Sequence, residues 1–527
     1  MEKIDIETKH IQQTILSSQY LFLSELKNAE RFVAQNELDS ALHIAASLST
    51  YAYLNFTSFY TSYRLEKLVQ TIGSKVMLPD TQQKKASSGK RKILHVASEL
   101  YELGGHTPLL LKWIQRDQDS EHNIFLTRQT EDTIPSTIFA QHTIDQSVIC
   151  HINKGESLVE TAQQLLNSAS HYDFLVLHIH PNDIVPLLAF ANTKPVPIYF
   201  LNHADHCFWL GASIIDGLIQ LRESSIELDK KRRGMDVPQF VLTIPVNAPE
   251  TSSGINKQEM LNKYGVDSLE PFVMLTTSTE SKFKPLLGYN YFESVIPVLD
   301  QNPRAILIIV GISNDKGLAI QYKHPQIKYV GYLLPEELAA IENCVDLYLE
   351  TFPNSSFTAL LQLLMKGKPV HFMFSPPAIF KLFSNSDYYP TDQQKWQQQL
   401  NAKIQNPEAL ATYTRQLVEN VMGEYCIEAW HAALKKFYVY ADSHAITNPL
   451  RYKSDVASSD DISDLILFGI SLKERYQYFF FDNRGRKIRL KRILSFYSIY
   501  RKVRPVWKQL FGFELQEVKQ RIKRLFQ

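Results

Sequence analysis

The chain has 527 residues, of which 44% are hydrophobic, and its 56 Lys and Arg nearly balance 55 Asp and Glu. This length exceeds a single core and calls for about three or four domains, and the composition excludes a disordered or collagen-like chain. Its four cysteines (Cys150, Cys207, Cys344 and Cys426) form no CxxC, which speaks against a zinc ribbon or a disulfide framework and fits a reducing compartment.

Residues 1 to about 75 carry helical periodicity. One apolar stripe reads Ile15, Leu16, Tyr20, Leu23 and Leu26; a second begins at Leu42, Ile44, Ala45 and Leu48; a third at Tyr63, Leu65 and Leu68. The opening MEKIDIETKHIQQ lacks a basic-then-apolar leader, and no run approaches the ~18–20 apolar residues of a membrane span. A cytoplasmic protein is the expectation. Residues 77–92 are polar and uneven and read as a linker.

Strands and helices then alternate. Ile93 to Ala97, Phe174 to His178, Val196 to Leu201 and Phe240 to Ile244 read as strands, with helices from about Pro108 and over Ser157 to Ser168. After a Pro/Ser/Asn-rich stretch near 245–257 the alternation restarts. Strands are expected at Val273 to Thr276, Ala305 to Val310, Ile327 to Val330 and Leu347 to Leu349, and helices at Tyr291 to Asp300 and Pro335 to Ile341. A further helix opened by Thr358 stops at Gly367, and residues 424–441 read as a closing helix. Such alternation predicts parallel sheets covered on both faces. The expected fold class is α/β: two tandem Rossmann-like doubly wound domains, an N-terminal helical domain and a basic C-terminal helical tail. The expected boundaries are 1–90, 91–247, 248–445 and 446–527.

Ligands of doubly wound sheets bind beyond the C-terminal strand ends, which singles out four loops. The first holds Gly104, Gly105 and His106; the glycines permit a close backbone approach, and a neutral imidazole can take a proton from an acceptor hydroxyl. The second holds Asn202, His203, Asp205 and His206, with His180 on the neighbouring strand end. Its spacing lacks the i,i+4 pattern of a helical metal site, so no metal is expected, and the group suits sugar hydroxyls or an orienting Asp–His pair. The third, Thr276 to Lys284, offers Thr277, Lys282 and Lys284 to a diphosphate. The fourth runs through Gly331 and Tyr332, where backbone groups can pair with a base edge, to Glu350, Ser356 and Thr358. There a polar loop opens a helix whose unpaired N–H groups and dipole favour phosphate.

The run VGYLLPEELAAIENCVDLYLETFPNSSFTALLQLLMKGKPV resembles the donor half of GT-B nucleotide-sugar glycosyltransferases, and most of all the inverting branch that contains protein O-GlcNAc transferases. The resemblance covers roughly residues 91–440. Glu350 and Thr351 fall where that family ends its strand in an acid and a threonine. The family's His-Thr-Thr falls on Phe357, Thr358 and Ala359, and its ribose-contacting acid on Gln362, so only Thr358 persists. Its leaving-group lysine falls on Lys282, with Lys284 next. The paired glutamates of retaining relatives would fall on Asn354 and Gln362. Gly105-His106-Thr107-Pro108 is similar to a Gly-His-x-x-Pro loop whose histidine is the base in some inverting enzymes.

The resemblance implies sugar transfer from a nucleotide diphosphate sugar, uridine-linked, to an acceptor hydroxyl, with inversion and without a metal. No cofactor beyond the nucleotide-sugar co-substrate is implied. His106 is the expected base and His203 or Asp205 the fallback; the acceptor is a glycan, a lipid-linked glycan or a protein. The alternatives are a binding protein that kept the shell and lost catalysis, a protein O-glycosyltransferase and a nucleotide-sugar epimerase. Residues 471–527 hold 16 Lys and Arg against 4 Asp and Glu, while the rest holds 40 against 51. Basic residues interleaved with Trp, Tyr and Phe suit an anionic membrane surface, hence a peripheral position on its inner face; no nucleic-acid module is recognised. Vesicle sedimentation with and without residues 471–527 checks this, and equal sedimentation rejects it.

Overall fold

The computed structural model describes residues 2–78, 89–101, 106–244, 257–266, 270–315, 317–375, 377–378, 381–383, 386–444, 453–457, 464–466 and 468. Gly104, Gly105, most of both expected linkers and the basic tail lie outside these residues.

Three helices come first: α1 (Glu2–Ala34), α2 (Leu38–Leu54) and α3 (Tyr63–Val76). The alternation follows as β1 (Arg91–Ala97), α4 (His106–Arg116), β2 (Ser120–Leu126), α5 (Ser136–Gln141), β3 (Ile149–His151), α6 (Leu158–Ala169), β4 (Phe174–His178), α7 (Val185–Ala189), β5 (Ile198–Asn202), β6 (Gly217–Gln220), α8 (Ser224–Arg233) and β7 (Gln239–Val241). A second series gives α9 (Lys257–Lys263), β8 (Phe272–Thr277), α10 (Tyr291–Gln301), β9 (Ala305–Val310), α11 (Leu318–Gln321), β10 (Ile327–Gly331), α12 (Pro335–Cys344), β11 (Leu347–Leu349), α13 (Phe357–Met365), β12 (Val370–His371), α14 (Gln393–Gln405), α15 (Pro407–Tyr425) and α16 (Ile427–Ser443). None of the described helices is long and apolar enough to cross a membrane.

Both sheets are parallel throughout. The first runs β3-β2-β1-β4-β5-β6-β7 and the second β10-β9-β8-β11-β12. In each, chain order reverses at one point, between β1 and β4 and between β8 and β11. Loops leave these strand pairs in opposite directions and open a crevice there. The central strands are continuous apolar runs because helices cover both faces: β4 and β9 are buried at every residue. Ser157 caps α6 with a full capping box through Glu160.

The N-terminal helices share one core with the first sheet. Phe22, Leu26, Leu48, Leu65 and Ile72 pack with Leu94, Leu177, Leu188 and Trp209. Gly73 lets α3 press onto α7, since a Cβ there would lie 2.6 Å from the Ala191 Cβ. The α1 stripe needs correction. Leu16 and Tyr20 are 60% and 59% exposed, and the buried row is Ile11, Ile15, Phe22, Leu26 and Ala29. This row keeps the steps of three, four and seven that one helix face requires. The last two helices part company: α15 packs into the second core through Leu410, Leu417 and Val421. α16 crosses to the first sheet, where Trp430, Leu434 and Phe437 meet Ile93, Phe174 and Tyr199.

Candidate functional site

Both topological reversals carry residues singled out above. At the first, His106 opens α4 just after β1, and its ring centroid lies 5.3 Å from that of His203, beyond β5. His106 is driven down to about 4, chiefly by burial and then by the charge of His180. His203 falls to about 3, again by burial first and by His106 second. Both rings are therefore neutral at physiological pH, each with one ring nitrogen that carries no proton. His180 follows β4, bonded through Nδ1 to Asn182 Oδ1 at 2.6 Å and set edge-on to Tyr53 of α2. Arg128 binds the side chain and carbonyl of Asn182, each at 2.9 Å, and Asn182 donates to Thr50 Oγ1 at 2.9 Å. Helix α2 thus forms part of this wall, which sequence periodicity alone did not reveal.

Two expectations at this wall change. Asp205 is no free base. Burial pushes its carboxyl up, but the Arg222 charge, the contact with His206 and the Ser225 hydroxyl together hold it far below the usual carboxylate range. Arg222 Nη2 lies 2.8 and 2.6 Å from its two oxygens. Asn202 is turned into the interior: its Nδ2 donates to Gln220 Oε1 at 3.1 Å and Asp229 Oδ2 at 2.6 Å. It organises the ends of β5 and β6 and does not face the crevice as an acceptor contact.

Under this wall lies a chain of imidazoles. His178 Nε2 meets His95 Nδ1 at 2.9 Å, and His95 Nε2 meets His122 Nδ1 at 2.9 Å. His122 Nε2 then reaches the Asp117 carbonyl at 3.1 Å and its carboxylate at 3.3 Å. Asp117 only accepts, because hydrogen bonds from His122, Tyr438 and Ser120 outweigh burial and hold its carboxyl at about 2. Each ring must therefore donate toward Asp117, which fixes all three tautomers. The lone pair left over falls on His178 Nδ1, which is buried and unpartnered. His95 and His178 are held well below their ordinary value, by burial first and neighbouring imidazoles second.

This chain sets an acid limit on the fold. Below pH ~6.5 the unfolded chain takes up protons on these two histidines and the folded chain does not, so stability is complete above that pH and lost as pH falls. Each ring forfeits about 1.4 kcal/mol per pH unit only below ~6.5, so these two alone remove about 3 kcal/mol between pH 7.5 and 5.5, and His106 and His203 add to the loss in the same direction. Urea midpoints across that range check this; a flat profile refutes it.

At the second reversal, Lys282 sits in the turn after β8 and donates from Nζ to the Ser355 carbonyl at 2.7 Å, just ahead of α13. Burial lowers its pKa while the charge of Glu350 raises it. Thr277 Oγ1 and Ser278 Oγ are buried without partners beside the same strand end. Ser356 precedes α13 with its side chain bonded to Tyr348 at 2.7 Å and makes no capping bond. Thr358 is not the cap; it lies exposed inside the first turn. Glu350 differs most from expectation. Ser355 Oγ donates to its Oε1 and the Met373 N–H, just past β12, to its Oε2 at 2.9 Å, so both oxygens are already bonded within the protein. Burial raises it to about 7. Gly331 ends β10 at φ +70°, and Tyr332 is 80% exposed beside it. Lys284 is exposed.

His206 is half exposed and lies 3.6 Å from Asp205. Among the described residues no group of three or more His, Cys, Asp or Glu is placed to hold a metal. Arg222, Arg128 and Tyr53 were missed by sequence reasoning; only Arg222, just past a four-residue strand, left any positional signal.

No family model matches the chain, and no curated protein does. A glycosyltransferase from Rickettsia africae superposes with a TM-score of 0.52 at 13% identity, covering 68% of this chain and 100% of that one. An O-GlcNAc transferase mutant from Thermobaculum terrenum gives 0.46 at 15%, covering 81% and 84%. Anabaena HepE in complex with UDP and glucose gives 0.47 at 15%, covering 66% and 99%. The chain shares with the first of these its fold, two Rossmann-like sheets in tandem.

Proposed function

We propose that the protein is a glycosyltransferase that moves a sugar from a nucleotide diphosphate sugar to an acceptor hydroxyl. One observation carries this reading: the two sheets each bring a complementary chemistry to their reversal point. The second supplies a cation, Lys282, and the uncapped start of α13; the first supplies neutral imidazoles. The Lys282 cation and the N–H groups of α13 stabilise charge growing on a departing diphosphate. His106, nearer the surface than His203, takes the proton of the attacking hydroxyl, whose oxygen forms the new bond to the anomeric carbon as the bond to the diphosphate breaks. Direct displacement on the face opposite the diphosphate inverts that carbon, and no metal enters the scheme. The donor is taken as uridine-linked on the resemblance of Val330 to Val370 to GT-B donor halves.

The test is a thermal-shift screen against nucleotides and nucleotide sugars, followed by the anomeric configuration of the product from the stabilising donor. Stabilisation by one nucleotide diphosphate and an inverted product are expected. No stabilisation by any of them sinks the reading and leaves a binding protein built on the same shell, for which Phe357, Ala359 and Gln362 at the family's polar positions argue.

A further inference from the structure

Arg222 stands two residues past β6, on the same strand ends as His203. Its guanidinium is tied down unusually well for a loop residue. Nη2 holds both Asp205 oxygens, Nε reaches Oδ2 at 3.1 Å and Ser225 Oγ at 3.2 Å, and Ser225 Oγ donates to Asp205 at 2.5 Å. Its Cζ lies 5.0 Å from the ring centroid of Phe357, the first residue of α13. Ser224, two residues on, donates to the Lys381 carbonyl at 3.2 Å. The 222–225 segment of the first unit therefore touches the second unit twice. The Arg222 side chain is 15% exposed, so it is held against the protein and does not dangle into solvent.

Lys282 reaches the same place from the other side. It bonds the Ser355 carbonyl, two residues before Phe357. One cation from each unit thus brackets residues 355–357, where α13 begins without a side-chain cap and where two hydroxyls, Thr277 Oγ1 and Ser278 Oγ, lie buried and unpartnered. A single phosphate needs one such cation. A pyrophosphate carries two or more negative charges over two centres, which a second cation held rigidly opposite the first suits. A lone surface arginine would lose conformational entropy on binding; one already held by Asp205 and Ser225 loses less.

We infer that Arg222 binds the donor's diphosphate from the first unit, opposite Lys282, and that Asp205 serves to fix the guanidinium. This rests on the proposed donor class and adds to it a residue and a consequence: the diphosphate ties the two units together. Arg222 touches the ligand; Asp205 is a positioning residue.

Calorimetric titration with UDP, GDP, ADP and dTDP, each beside its own nucleoside, tests it. With the diphosphate that the wild type binds, Arg222→Gln lowers affinity about 10–100-fold, the range for one charge-assisted pair. Its affinity for the matching nucleoside stays within about twofold. Arg222→Lys keeps the charge and gives up the two-point hold on Asp205; should the glutamine variant fail to fold, the lysine variant still shows a smaller, diphosphate-only loss. Asp205→Asn shows a loss between the two, also confined to the diphosphate. Equal losses for nucleoside and diphosphate, or none for either, overturn the assignment while the donor class stands. A wild type that binds none of the four diphosphates overturns both.

Discussion

Replacing Lys282 with alanine is expected to lower sugar transfer by about 10²–10³-fold, the usual cost of removing one preorganised charge from a site where charge develops. The size follows from three features. The Lys282 ammonium is half-buried and anchored at 2.7 Å to the Ser355 carbonyl, so little reorganisation is needed when the diphosphate departs. Glu350, pushed up to about 7 by burial, keeps a partial negative charge nearby and helps hold the cation. The start of α13 adds a fixed dipole of the same sign. The structural cost is small by comparison, since one bond to a carbonyl contributes about 1–2 kcal/mol. Turnover at saturating donor, measured beside the unfolding midpoint, separates the two. Full activity in Lys282→Ala would place the leaving group elsewhere.

The second large effect concerns stability. Glu66 of α3 is fully buried and accepts from the backbone N–H groups of Gly211, Ala212 and Ser213 at 2.8, 3.1 and 2.7 Å. It also accepts from Thr61 Oγ1 at 3.2 Å and from Ser213 Oγ. One carboxylate thereby satisfies three successive N–H groups of the segment between β5 and β6. Burial raises its pKa, and these hydrogen bonds oppose the rise without cancelling it. Alanine at 66 strands three buried N–H groups, each costing about 1–2 kcal/mol, so a loss of about 3–5 kcal/mol is expected. Glutamine keeps one acceptor oxygen and is expected to lose less than half of that. Denaturant midpoints of the two variants provide the check; an alanine variant within 1 kcal/mol of wild type, on the order of a surface substitution, would show that water replaces the carboxylate.

Much of the fold was legible because it is apolar on both faces. Runs such as ILHVA, FLVLH and AILIIV announce central parallel strands, and β4, β9 and β11 begin and end where the sequence suggests. What hid was short or mixed. β2 starts with Ser120, Glu121 and His122 before its apolar half, β6 has four residues and β12 two. On α1, Leu16 and Tyr20 look like core residues but face solvent, and only neighbouring helices decide which of two apolar faces is covered. In the site, the loops were legible from their place after strands, but the partners of their side chains were not. Glu350 is consumed by an N–H 23 residues away and Asp205 by an arginine 17 residues away. Such pairings arise from topology and leave no mark on local spacing.

The crossing of α16 has a mechanical consequence. The chain passes between the two halves once after Thr243 and returns at Cys426, and these passages touch: Thr243 Oγ1 donates to the Glu424 carbonyl at 2.8 Å. Adjacent straps act as a book's spine. Helix α1 ties the same halves a third time, since the Leu287 N–H donates to Glu7 Oε2 at 2.9 Å and Ile11 and Ile15 pack with Leu286 and Leu287. Halves fastened at three places resist opening, so small-angle scattering with and without nucleotide is expected to report an unchanged radius.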